Sequence, residues 1–165
     1  MKLIRRSLHM RSLILLVSLI ICNPSQGQTD MTNLVLNAHS MVYHQAEGKT
    51  YIFGGATEKE VINTLLVFEG KTLTEVETKI QPSGRTFAST TYHEKDKTIL
   101  MFGGSRVLFG KQTQVANLLN DTWLLRNGEW KQLNTTNAPE PRAEAAIAYD
   151  QLRDRIVLFG GYTIK

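Results

Sequence analysis

Tyr43-His-Gln-Ala-Glu-Gly-Lys-Thr-Tyr-Ile-Phe53-Gly54-Gly55 decides the fold, because its frame returns twice. Tyr92 leads in the same ten steps to Phe102-Gly103-Gly104, and Tyr149 to Phe159-Gly160-Gly161. The three tyrosines lie 49 and 57 residues apart. Self-similarity on that scale marks a repeat array, in which each unit is one supersecondary element that cannot bury its apolar face alone.

The frame extends in both directions. Arg85 and Arg142 stand seven residues before their tyrosines, with Leu36 in the matching place of the first copy. Pro82 and Pro139 precede those arginines by three, which suits a connector better than a strand interior. After the glycines, Asn63-Thr64 aligns with Asn120-Asp121-Thr122-Trp123. The asparagine-to-tyrosine distance is 29 residues in both copies, so the extra length lies wholly in the connector 105–119.

Alternation and punctuation predict the strands. Small and β-branched residues interleave over 38–43, 87–92 and 143–149, the expected first strands. Polar turns lead into apolar second strands over 51–53, 99–102 and 156–159. Runs of this kind closed by glycine fit strands buried on both faces. Third strands are expected over 65–68 and 122–125, and fourth strands over 74–79 and 129–133. Each period thus gives a four-stranded antiparallel sheet, the unit of a propeller. Trp123 and Trp130 are expected in the core between sheets, since large aromatics dominate burial. Leu66 and Leu73 hold the matching places of the first sheet, where packing should be thinner.

These residues carry a resemblance. Arg142-Ala-Glu-Ala-Ala-Ile-Ala-Tyr149, Asp154-Arg-Ile-Val-Leu-Phe-Gly-Gly161, and Asn120-Asp-Thr-Trp123 followed by Gly128-Glu-Trp130 resemble kelch repeats, the blades of kelch β-propellers. The resemblance implies an all-β chain of two complete four-stranded blades and half of a third, at about 36–84, 85–141 and 142–165. Tyr43, Gly54, Gly55, Tyr92, Gly103, Gly104, Trp123, Trp130, Tyr149, Gly160 and Gly161 form its structural motif. A propeller needs roughly four to eight blades, so the array is expected to be a fragment or truncated product. Its last apolar strand would present an open edge inviting self-association.

Residues 1–27 read as an export signal, followed by a short leader over 28–35. Lys2, Arg5, Arg6 and Arg11 precede an apolar run over 12–22, and Ser25 and Gly27 supply small residues before a cut at Gln28. That run is shorter than the roughly 20 residues a membrane helix needs, so no stable span is expected after its removal. An uncleaved anchor and a lipid-modified Cys22 are the alternatives; Ile21, where a small residue is wanted, disfavours the second. A secreted or periplasmic protein is expected. Of 19 Lys and Arg against 15 Asp and Glu, four basic residues lie in the signal. The charges then balance, and no nucleic-acid partner is expected.

Catalytic and cofactor motifs are missing: there is no serine-hydrolase elbow, zinc-binding His pair, phosphate loop or dinucleotide fingerprint. His44 and His93 recur at one position per unit, as polar strand ends do; no metal and no cofactor is expected. Function is therefore sought in loops on a rigid scaffold. The candidate ligand-binding residues are Arg106, Phe109, Lys111 and Gln112 in the long connector, with Arg85 and Arg142 on the same end of the sheets. For the two arginines, pairing with an acidic or carbonyl group between blades is the competing expectation. The function expected from the resemblance is an exported kelch-type scaffold recognising a protein or glycan without chemistry of its own. The alternative is part of a sugar-active kelch enzyme similar to a sialic acid mutarotase, which would epimerise a sugar in a closed ring's central cavity.

Overall fold

The computed structural model describes residues 35–108 and 117–164. The expected signal, most of the leader, and Phe109, Lys111 and Gln112 lie outside the described residues. Ten strands form three antiparallel sheets. The first holds β1 (Ser40–His44), β2 (Lys49–Phe53), β3 (Leu65–Glu69) and β4 (Thr72–Glu75), paired in that order. The second repeats it with β5 (Ser89–His93), β6 (Thr98–Ser105), β7 (Leu118–Arg126) and β8 (Glu129–Leu133). The third contains β9 (Ala146–Asp150) and β10 (Arg155–Phe159).

Register explains the core. Tyr51 faces Val67 and Phe53 faces Leu65, so these four share one face of the first sheet. Ile99 faces Leu125 and Met101 faces Trp123 on the second sheet, with Trp130 opposite Leu125. The two faces meet in one buried cluster. Trp130 caps it with its ring set edge-on to Phe53 at 5.1 Å. Each such side chain removed from water contributes about 1.5–3 kcal/mol, and neither sheet could bury its face alone. Leu73, in the place of Trp130, is only half-buried, so the wide aromatic lid occurs once.

The first strands begin later than alternation predicts, at Ser40, Ser89 and Ala146 rather than at 38, 87 and 143. The cause is a left-handed residue at one equivalent point per unit: Ala38, Phe87 and Glu144 have φ of 56°, 56° and 58°. Such a residue cannot continue a strand, and here it links sheets instead. The Phe87 amide donates to the Ala38 carbonyl at 2.8 Å, and the Glu144 amide to the Phe87 carbonyl at 3.0 Å. Before each of them the chain makes a lone bridge, Asn37 with Ala56, Thr86 with Ser105, and Ala143 with Tyr162. The fourth strand of the first sheet ends at Glu75, short of the expected 79. In the second sheet β6 runs through Gly103-Gly104, with a register shift between Phe102 and Gly104, and β7 reaches back to Leu118.

Candidate interaction face

Strand direction gathers two kinds of connector at one end of the sheets. The second strand of each sheet leaves through Gly-Gly toward the third, and the fourth strand leaves toward the next sheet. The two meet: the Gly55 amide donates to the Arg85 carbonyl at 2.8 Å, and the Arg85 amide to the Ile62 carbonyl at 3.3 Å. One sheet later the Gly104 amide donates to the Arg142 carbonyl at 2.9 Å, and the Arg142 amide to the Leu119 carbonyl at 3.0 Å. Space here is tight enough to require glycine. A Cβ on Gly103, whose φ is 64°, would stand 2.5 Å from the Arg142 carbonyl oxygen.

Arg85 seals the first joint. Its side chain is fully buried, and its guanidinium grips Asp121 with two bonds, Nη1 to Oδ1 at 2.6 Å and Nη2 to Oδ2 at 2.8 Å. Nη1 also donates to the Gly103 carbonyl at 3.0 Å, and Nε to the Ser83 carbonyl at 3.1 Å. The Trp123 indole donates to Asp121 Oδ2 at 2.6 Å. Burial alone would raise the Asp121 pKa, but the bond and charge of Arg85, with the indole, outweigh it and hold the carboxyl below its ordinary range. Arginine is the residue suited to this, since its planar fork matches a carboxylate and stays charged when buried.

Arg142 sits in the matching place of the third sheet and is half-buried. Nε donates to the Glu140 carbonyl at 3.0 Å and Nη1 to the Gly160 carbonyl at 2.9 Å. Of the long connector, the stem is fixed. The Arg106 amide donates to the Asn117 carbonyl at 2.8 Å, while Thr86 Oγ1 and Ser105 Oγ donate to the Val107 carbonyl at 2.9 and 2.8 Å. The Arg106 side chain is exposed at the top of that stem. Arg106 and Arg142 thus share the connector end with the exposed Ile80, whereas the Arg85 guanidinium is enclosed within the frame and faces no solvent.

The opposite end carries a second repeated joint, one that alternation in a single chain does not reveal. The His44 ring lies 4.6 Å from that of Tyr92, and the His93 ring 4.3 Å from that of Tyr149. Each unit's histidine therefore rests on the next unit's motif tyrosine. His44 Nε2 donates to the Lys97 carbonyl at 3.1 Å, while its Nδ1 accepts the Glu47 amide at 3.2 Å. Burial, together with the 2.5 Å bond donated to Glu47, pushes the Tyr51 phenol well above its ordinary pKa. Between the second and third sheets, Asp154 pairs with Lys95, accepts from the Tyr149 hydroxyl at 2.9 Å, and lies 3.5 Å from His93 Nε2. The Lys95 bond leads in lowering the Asp154 pKa, followed by the tyrosine. Spacing showed that Tyr and His recur; that the partners belong to different sheets became visible only in three dimensions.

Among the described residues, no three His, Cys, Asp or Glu side chains converge as metal ligands, and no helix is long and apolar enough to cross a membrane. The described part of the connector end offers hydrogen-bonding and charged groups held by backbone links between sheets. The family model described as the KLHDC2/KLHL20/DRC7 Kelch-repeats domain matches residues 28–165. No curated protein matches the chain.

Proposed function

The chain belongs to the kelch-repeat family, whose propellers serve generally as protein-binding scaffolds, and on that premise we propose that it is an exported scaffold that binds a protein through its connector end. The observation that carries the reading is the fixed stem of the long β6–β7 connector, beside the sealed Arg85–Asp121 joint. The stem of that connector is held by Arg106 with Asn117 and braced by Thr86 and Ser105, which fixes where its two ends leave the frame and lowers the ordering cost of binding there. Arg106 at the stem supplies a charge suited to an acidic partner surface. Export rests on the basic lead and apolar run of residues 2–22.

Replacing residues 108–116 with a Gly-Ser-Gly link removes the tip and keeps the stem. Immobilised full chain is expected to retain a protein from extracellular extract, and the replaced chain to lose it while melting at the same temperature within about 2 °C. Retention that survives the replacement, or retention of sugars alone on a glycan array, overturns the reading. Export is tested separately, by fusing residues 1–30 to a reporter and measuring its appearance outside the cytoplasm.

A further inference from the structure

Two Asn-x-Thr triplets stand in the chain, Asn120-Asp121-Thr122 and Asn134-Thr135-Thr136. In an exported protein such a triplet is an acceptor for N-linked glycan, provided that its middle residue is not proline and that it lies in a surface loop. The two are placed differently. Asn120-Asp121-Thr122 lies within β7, where Thr122 is 8% exposed and pairs with Phe102 on one side and Leu133 on the other, while Asp121 is gripped by Arg85. Asn134-Thr135-Thr136 begins where the β7–β8 ladder ends, at Leu133, and all three of its residues are exposed. That exposure belongs to the repeat. Glu77 follows Leu73 by four residues as Asn134 follows Trp130, and it is exposed although a complete four-stranded sheet comes after it. The place therefore stays open to solvent beside a full neighbouring sheet.

We propose that Asn134, and not Asn120, is the acceptor of an N-linked glycan added as the chain crosses the secretory membrane; the inference rests on the export reading of residues 1–27. The donor is a lipid-linked oligosaccharide diphosphate, supplied by the membrane's glycosyl transferase. Nδ2 of Asn134 forms a bond to the anomeric carbon of the first sugar, and the bond from that carbon to the diphosphate oxygen breaks. The lipid diphosphate leaves with the electron pair, one Nδ2 proton passes to a base, and nothing is oxidised or reduced. Transfer requires that the triplet bend into another protein's active site. The segment after β8 can do so, because no strand pairing holds it, whereas β7 is paired on both sides. The placement also has a use. β8 is the last strand of a complete sheet, and a bulky, solvated group at its end blunts an edge that would otherwise template added strands.

The test is translation of the full chain in the presence of eukaryotic secretory microsomes, followed by protease. Protected chain is expected to show one discrete upward shift on a denaturing gel, removed by peptide N-glycosidase and abolished by Asn134→Gln and by Thr136→Ala. Asn120→Gln should leave the shift in place. The glycosidase converts the carrier asparagine to aspartate, so mass spectrometry of the released peptide identifies the site in the unaltered chain, independent of how any variant folds. Protected chain without a shift, or with a shift that Asn120→Gln removes, overturns the proposal and leaves export standing. Chain left open to protease overturns the export reading and this inference with it, so the two failures are told apart.

Discussion

Arg85 and Arg142 occupy the same place in successive units, three residues after a proline and seven before a tyrosine, yet one is sealed and the other open. Around Arg85 every element of the joint is in place: a Gly-Gly turn pressed against its carbonyl, a glycine carbonyl on Nη1, and a carboxylate across the fork. Around Arg142 the carbonyl contacts are the same, but among the described residues β10 pairs with β9 alone, and Val157 and Phe159 are 43% and 80% exposed. Phe102, the equivalent of Phe159, is 4% exposed. A residue's sequence context therefore sets its pose, while the neighbouring strand sets what that pose is worth.

The sharpest way to break the comparison is to remove each arginine in turn. Arg85→Ala leaves Asp121 partly enclosed without its counter-charge and opens a cavity. It should destabilise the chain by about 3–4 kcal/mol in urea unfolding. Arg142→Ala removes a partly solvated group and should cost under about 1 kcal/mol. Equal losses would mean that the Asp121 pair contributes nothing beyond the carbonyl contacts. The glycines give the next contrast. Gly103→Ala drives a Cβ to 2.5 Å from a backbone oxygen at a left-handed φ, and should cost about 2–3 kcal/mol. Gly160→Ala meets nothing within 4 Å at nearly the same φ of 68°, so only the backbone term remains, about 1 kcal/mol.

Acid titration sharpens the same joint with a smaller effect. The Asp121 pKa is lowered in the folded chain from its ordinary 3.8. Its contribution to stability is therefore fully present above pH 3.8 and disappears as the pH falls through the lowered folded value. Asp121→Asn should be less stable than the parent at pH 7, and the gap should narrow steadily below pH 3.8 in urea melts. A gap of constant size would show that the carboxylate's charge is not what closes the joint.

Much of this was legible in the chain because the repeat is a covalent ruler. Tyr-to-Phe-Gly-Gly spacing located β1, β2, β5, β6, β9 and β10 to within a few residues, and the Asn-Asp-Thr-Trp segment located β7. The first strands start later than alternation predicts for a physical reason: Ala38, Phe87 and Glu144 are compatible with a strand by composition, but each has a left-handed backbone at the amide-to-carbonyl link between sheets. The partners of Arg85, His44 and His93 were hidden for a related reason. His44 and His93 meet partners in the next unit, 53 residues on for the Lys97 carbonyl, while Arg85 reaches across its own unit to Asp121, 36 residues on, and one sequence carries no direct record of such pairs. The recurrence of Arg, Tyr and His marked the positions as important without saying what they touch.

The smallest effect tests whether equivalent turns in different units carry equal strain. The first hairpin turns through Gly48 at φ 69°, while the same place in the other two holds Lys97 at 52° and Asp154 at 49°. A side chain there costs about 1–2 kcal/mol relative to right-handed backbone. Glycine avoids that cost but loses about 0.5–1 kcal/mol of chain entropy on folding. Asp154 offsets its strain through Lys95 and Tyr149, so glycine there would remove those contacts. Lys97 meets its neighbours through its backbone, its carbonyl accepting from His44 and its amide donating to the Glu94 carbonyl, and glycine supplies both groups. Lys97→Gly should therefore stabilise the chain by about 0.5 kcal/mol, and Asp154→Gly should destabilise it. Opposite signs at two sites of matching φ would locate the difference in side-chain contacts between sheets, whereas matching signs would return it to the backbone.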